Sequence, residues 1–226
     1  MKKVYMLTIG QSPRSDVAPL VEKILGTELE LVQAGALDDL TYEEVKKQLA
    51  PTEGTDSEYI LVSRMRDGRA VKMDRSKLEP LIQRKIDLAE EAGYSLIWLL
   101  CTGEFANLKT KKSIFLEPDK IIPTVVKTII GDKKLGVVVP LAEQVKEMNG
   151  KFNKVGLTPM YTDVSPYTGT KEQFLEVGKK LSDKVDYILM DCMGYNEEWK
   201  NLVEESSGKP TILSNALMAK LTSEFA

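Results

Sequence analysis

The segments LLCTGEF (99–105) and LMDCMGY (189–195) hold both cysteines of the 226-residue chain, and each runs from apolar residues to Cys, one further residue and Gly. A short, continuously apolar run closed by a small-residue turn reads as a strand buried on both faces and ending at a loop. Two such endings of one form raise the prospect of a duplicated unit. The stretches KKVYMLTIGQSPR (2–14) and KKLGVVVPLAEQV (133–145) extend the echo, since both give a lysine pair, an apolar strand and a loop that opens a helix. A doubly wound fold produces strand-loop-helix echoes without duplication, so the pattern alone leaves both origins open.

Working outward, apolar β-branched runs alternate with amphipathic charged segments. Strands are predicted near 3–9, 28–32, 95–100, 135–139, 153–157, 185–190 and 210–213. Helices are predicted near 16–25, 41–49, 76–92, 119–130, 141–149, 170–182, 195–206 and 215–224. This order implies βαβ units, a mostly parallel α/β architecture, and ligands at the carboxyl ends of the strands. The segment EYILVSRMRDGRAVKMD (58–74) departs from it, with two alternating runs joined by Asp67-Gly68. That dipeptide marks an antiparallel hairpin, either an edge of the sheet or an arm over the site or toward a partner. We expect a first lobe of 1–130 with 208–226 and a second of 131–207, with a ligand cleft between them.

Composition removes whole classes of chemistry. With no histidine, the chain cannot build Ser-His-Asp or Cys-His pairs or His-ligated zinc, and two cysteines cannot supply a Cys₄ site. Protons must then move on thiols, carboxylates, Lys, Tyr or water. A formal net charge of −3 argues against a nucleic-acid partner. No apolar run approaches the roughly 18 to 20 residues of a membrane span, and the short uncharged stretch before Gly10 is no signal region, so a cytoplasmic chain without membrane partners is expected. Free thiols are the expectation there, not a disulfide.

A cysteine at a strand end is often only a small core hydrophobe. It is also where a thiol meets ligands and loop amides: lowering its pKa from about 8.5 to about 6.5 raises the ionised fraction at pH 7.5 from roughly 10% to roughly 90%. Two thiols suit one task in particular. Inversion at a carbon beside a carboxylate needs a base on one face and an acid on the other, exchangeable for the reverse direction. Cys101 and Cys192 are therefore the candidate catalytic pair, flanked by the Thr102-Gly103 and Met193-Gly194 turns. The loop Gly10-Gln11-Ser12-Pro13-Arg14 offers amides, a hydroxyl and a guanidinium able to hold a carboxylate bidentately. The competing reading has Ser15 or Asp16 capping the next helix with Arg14 solvated. Ser214-Asn215 either caps the last helix or contacts ligand. Asp191 is expected on the opposite face from Cys192 by strand alternation, in a structural role. Tyr195, Glu104, Glu143 and Gln144 default to solvated or capping roles, and Asp119 to a cap.

The paired Cys turns resemble the aspartate/glutamate racemase superfamily, which includes hydantoin racemases and maleate isomerases. More closely, TIGQSPRSDV, IFLEPDKIIP, LGVVVPLAEQ, MDCMGY and ILSNALMAKL resemble the AroM family over nearly the whole chain. The resemblance implies two pseudo-symmetric Rossmann-like lobes, no cofactor and no metal. It implies Cys101 and Cys192 facing one another across an interlobe cleft, with Ser12, Thr102 and Ser214-Asn215 near a bound carboxylate. Amino-acid racemases follow their cysteines with Asn-Thr and Thr-His, whereas this chain has Thr102-Gly103 and Met193-Gly194-Tyr195, the second closer to hydantoin racemases. The expectation is a racemase or isomerase acting on a small carboxylate or cyclic amide. One-thiol chemistry on Cys192, including decarboxylation, stays open, as does a non-catalytic metabolite-binding or regulatory protein in the same fold. Dimers are common in the superfamily, so a second copy of the chain is a candidate partner.

Overall fold

The computed structural model describes residues 2–51 and 60–225. The chain forms two compact units, Met1–Pro118 with Ala219–Ala226, and Asp119–Met218.

In the first unit, strands β1 (Lys2–Thr8) and β2 (Leu29–Gly35) are joined by α1 (Ala18–Leu25), and α2 (Tyr42–Leu49) follows. A hairpin of β3 (Ile60–Arg64) and β4 (Ala70–Asp74) leads into α3 (Arg75–Glu91), β5 (Leu96–Leu100) and β6 (Ile114–Leu116). The sheet order is β2-β1-β5-β6, every pairing parallel. Its centre is dry: all five residues of β5 and the last five of β1 are buried, as two-sided coverage requires. Helix α2 begins with a reciprocal capping box between Thr41 and Glu44, and Asp74 caps α3 through the Ser76 amide.

The second unit contains α4 (Pro118–Ile130), β7 (Leu135–Val139), a 3₁₀ turn (Ala142–Gln144), α5 (Val145–Asn153) and β8 (Met160–Asp163). It continues with α6 (Lys171–Leu181), β9 (Tyr187–Met190), α7 (Glu197–Ser207), β10 (Thr211–Leu213) and α8 (Ser214–Ser223), whose last residues group with the first unit. The order is β8-β7-β9-β10, again all parallel. Phe174 and Trp199 stack at 4.3 Å to join α6 to α7.

The two sheets share one topology. Each places its first strand second, the next strand on its outer side, and then two further strands on the other side: β2-β1-β5-β6 matches β8-β7-β9-β10 position by position. Cys101 and Cys192 follow the equivalent strands β5 and β9. The echo noticed in the sequence is thus an echo of fold.

Several expectations need correction. Residues 153–157 are not a strand: α5 runs to Asn153, and the Leu157 amide returns to Phe152 through a turn whose Gly156 has φ +73°. The strand there is β8, shorter and half-exposed. The expected lobe boundaries also move. Residues 208–218 go with the second unit because β10 hydrogen-bonds β9, and 119–130 go with it as well. The hairpin is a separate two-stranded sheet rather than an edge of the main one, and its expected first residues, 58–59, lie outside the described residues. Among the described residues no helix is long and apolar enough to cross a membrane.

Candidate functional site

In an open parallel sheet the crevice for a ligand forms where successive connections leave to opposite sides, at the carboxyl ends of the strands. In the first unit that point lies between β1 and β5, and in the second between β7 and β9. The two cysteines and the two strand-loop echoes lie at these points.

On the first unit, Cys101 directly follows β5 and is buried, at 7% exposure. The Gly103 amide donates to its sulfur at 3.3 Å, and Thr102 and Gly103 are buried beside it. On β1, Thr8 pairs with Leu100, which brings the Gly10–Arg14 loop next to this turn. The loop is held from three directions. Gln11 donates from Nε2 to the Leu37 and Leu40 carbonyls at 3.1 and 2.8 Å, and its Oε1 accepts the Arg66 amide at 2.8 Å. Ser12 gives its amide and hydroxyl to Asp38 at 2.7 and 2.8 Å. Gly10 runs so close to the hairpin that a Cβ there meets the Arg64 carbonyl and Ser63 Oγ.

Arg14 is neither solvated nor turned outward. At 3% exposure it forks onto Asp16 through Nε and Nη2 at 2.9 and 2.8 Å, with Nη1 on Thr8 Oγ1 at 3.0 Å. Burial pushes the Asp16 carboxyl up, but the Arg14 hydrogen bonds and charge outweigh it and hold the group below its usual range. Neither Ser15 nor Asp16 caps α1, whose N-cap is Val17 without a side-chain bond. The edge of the guanidinium that was expected to hold a carboxylate holds Asp16.

The hairpin grips this loop. Gln11 donates its amide to the Arg64 carbonyl at 3.1 Å, and Arg66 Nε donates to the Ser12 carbonyl at 2.6 Å. Arg69 lies 3.8 Å over the Tyr42 ring, and a cavity of about 610 Å³ opens between the hairpin tip and the turn after β2, bordered by Gln11, Asp38, Tyr42 and Arg66.

On the second unit, Cys192 follows β9 and is half-buried. The Gly194 amide donates to its sulfur at 3.5 Å, the counterpart of Gly103 on Cys101. Asn215 Nδ2 donates to the Met193 and Tyr195 carbonyls at 3.1 and 2.7 Å, so Ser214-Asn215 meets the Cys192 turn directly. Asp191 is fully buried. It takes Lys151 Nζ at 2.6 Å and Ser214 Oγ at 3.1 Å. Tyr195 is fully buried rather than solvated, its hydroxyl on the Val164 carbonyl at 2.7 Å. Burial and then the charges of Cys192 and Asp191 push its phenol well up. Gln144 is also buried, whereas Glu143 is exposed as expected. Asp119 lies in the first turn of α4.

Asp38, Arg66, Lys151 and Tyr167 shape these two corners and were not singled out from sequence. The Asp67-Gly68 signal marks the hairpin that carries Arg66. Lys151 carried no signal, because it pairs with Asp191 from 40 positions away.

A family model described as AroM protein matches residues 4–226. No curated protein matches the sequence. Among solved structures, the chain is similar to Picrophilus torridus aspartate racemase, with a TM-score of 0.60 at 14% identity over 99% of this chain and 95% of that one. It is similar to allantoin racemase from Klebsiella pneumoniae, with 0.62 at 10% over 100% and 87%. The maleate isomerase Iso from Pseudomonas putida S16 gives 0.59 at 11% over 99% and 94%. At these identities the likeness is one of fold.

Proposed function

Because the chain belongs to the AroM family, we propose that it is a cofactor-independent enzyme of the racemase and isomerase type, acting on a small carboxylate or cyclic amide. Cys101 and Cys192 are its acid–base pair. The observation that carries this reading is the repeated Cys-x-Gly turn: equivalent strands of two equivalent sheets each end in a thiol whose sulfur accepts the N–H of the glycine two positions on. A backbone N–H aimed at sulfur complements a thiolate.

In this mechanism one thiolate removes the proton from the carbon beside the carbonyl, leaving an enolate-like charge. The opposite thiol delivers a proton to the other face. The two sulfurs thereby exchange protonation states, and the reverse reaction starts from the exchanged state. Thr102, next to Cys101, is the candidate donor for the developing charge, since Ser12 gives both its amide and its hydroxyl to Asp38.

The difference in burial favours a second form of the same chemistry. Cys101 is buried and Cys192 half-buried, so Cys192 acting alone as the proton donor to an enolate, as a decarboxylation requires, is the variant to test alongside.

The deciding measurement is incorporation of deuterium from heavy water beside the carbonyl in a panel of chiral carboxylates and hydantoins, read by NMR for wild type, C101S and C192S. Exchange lost in both variants supports the two-thiol mechanism. Exchange lost only in C192S supports the one-thiol form. Iodoacetamide profiles showing neither thiol ionised near neutrality, with no exchange in any compound, overturn the enzyme and leave a metabolite-binding protein.

A further inference from the structure

We propose that Asn215 is a positioning residue for the Cys192 thiol rather than a ligand contact; the proposal rests on Cys192 being the reacting group of the second unit. Its side chain is almost wholly buried, at 1% exposure, and gives Nδ2 to two carbonyls of one turn, Met193 O at 3.1 Å and Tyr195 O at 2.7 Å. A third carbonyl of the turn, that of Cys192, accepts the Tyr195 amide at 3.4 Å. The Met193 carbonyl and the Gly194 N–H belong to one planar peptide, so holding that oxygen sets the N–H, which lies on the sulfur at 3.5 Å.

The orientation of the amide is not arbitrary. Reversing it sets its oxygen against both carbonyls, so the donors must face the turn. The consequence is that Asn215 Oδ1 is buried with no hydrogen-bond partner among the described residues. An unpaired interior acceptor costs stability, and the bonds that Nδ2 makes in return hold the Cys192 turn. Gly194 is boxed in from the other side: a Cβ there comes within 2.6 Å of the Tyr167 hydroxyl. The ionisable groups coupled to this corner are Tyr195, Tyr167, Asp163 and Asp191, with Lys151 paired to Asp191. Asn215 is itself uncharged, so removing its donors changes the turn without removing a charge.

Asn215→Leu deletes both donors at similar volume. Alkylation of Cys192 by iodoacetamide, followed across pH by peptide mass spectrometry, is expected to slow by about tenfold at neutral pH, its midpoint moving up by about one unit. Cys101, read in the same molecules, is expected to keep its profile. An unchanged Cys192 profile in folded N215L overturns the proposal, as does an equal change at both cysteines, which marks a global effect. NMR of the unaltered protein keeps the test decisive if N215L does not fold. The Asn215 side-chain amide protons and the Gly194 amide are expected to titrate at the Cys192 alkylation midpoint, and Asn215 protons that ignore it overturn the role. Neither readout uses a substrate, so absence of turnover refutes the enzymatic reading without touching this one.

Discussion

Gly194 gives its backbone N–H to Cys192 Sγ at 3.5 Å, and the first unit repeats the arrangement between Gly103 and Cys101 at 3.3 Å. The glycine cannot be replaced quietly. A methyl group at 194 runs into the Tyr167 ring and hydroxyl, so Gly194→Ala is expected to cost about 1–3 kcal/mol, the usual range for overpacking. Urea denaturation checks the stability, and a slower alkylation of Cys192 relative to Cys101 checks that the turn has moved.

Lys151 and Asp191 form a buried pair, with side-chain exposures of 4% and 0%. Lys151→Met leaves Asp191 charged and without that partner, and a loss of about 3–5 kcal/mol is expected. Adding Asp191→Asn to it removes the stranded charge and is expected to recover part of the loss. Denaturant melts of the two single variants and the double variant measure both effects.

Glu90 accepts the amides of Lys112, Lys111 and Ser113 at 2.7 to 3.0 Å, and these bonds hold its carboxyl at about 2 against an ordinary 4.5. A folded-state value below the unfolded one means that the carboxylate stabilises the fold fully above pH 4.5 and progressively less as pH falls toward 2. The melting temperature of Glu90→Gln should lie below that of wild type at pH 6, and the gap should close between pH 4.5 and 2. A gap independent of pH overturns the assignment.

Gln11 and Arg66 meet in the hairpin clamp but differ in weight. Gln11→Leu strands the Leu37 and Leu40 carbonyls and the Arg66 amide, and about 2–4 kcal/mol is the expected cost of leaving such groups unpaired. Arg66 is half-exposed and keeps its backbone bond to Gln11 when its side chain is cut, so Arg66→Ala is expected to cost about 1 kcal/mol or less. Thermal melts of both variants rank them.

The strands that carry the cysteines were legible because β5 and β9 are apolar runs covered on both faces, and the hairpin because Asp67-Gly68 admits few other turns. β6 was missed because three residues at an edge leave no periodicity, and β8 because its half-exposed Met160–Asp163 forms no apolar run. The 153–157 error arose from apolar residues, Val155 and Leu157, that pack a helix end and the turn after it. At the site, the positions of Cys101, Cys192, Ser12 and Asn215 at strand ends follow from local pattern. Their distant partners do not: Asp38 for Ser12 and Lys151 for Asp191 are choices made by tertiary packing. Arg14 looked available because nothing local distinguishes a guanidinium that binds a ligand from one forked onto a carboxylate two positions away.

The clamp from Ser214 and Asn215 onto the 191–195 turn also sets an order of events during synthesis. A nascent chain that has emerged through residue 208 already carries both thiols and the whole of β9 and α7, yet it has neither the β10 strand beside them nor the amide that holds the Cys192 turn. Until Asn215 emerges, the second thiol belongs to an unfinished corner, and polypeptides cut short before that point should carry Cys192 with the reactivity of an ordinary exposed thiol.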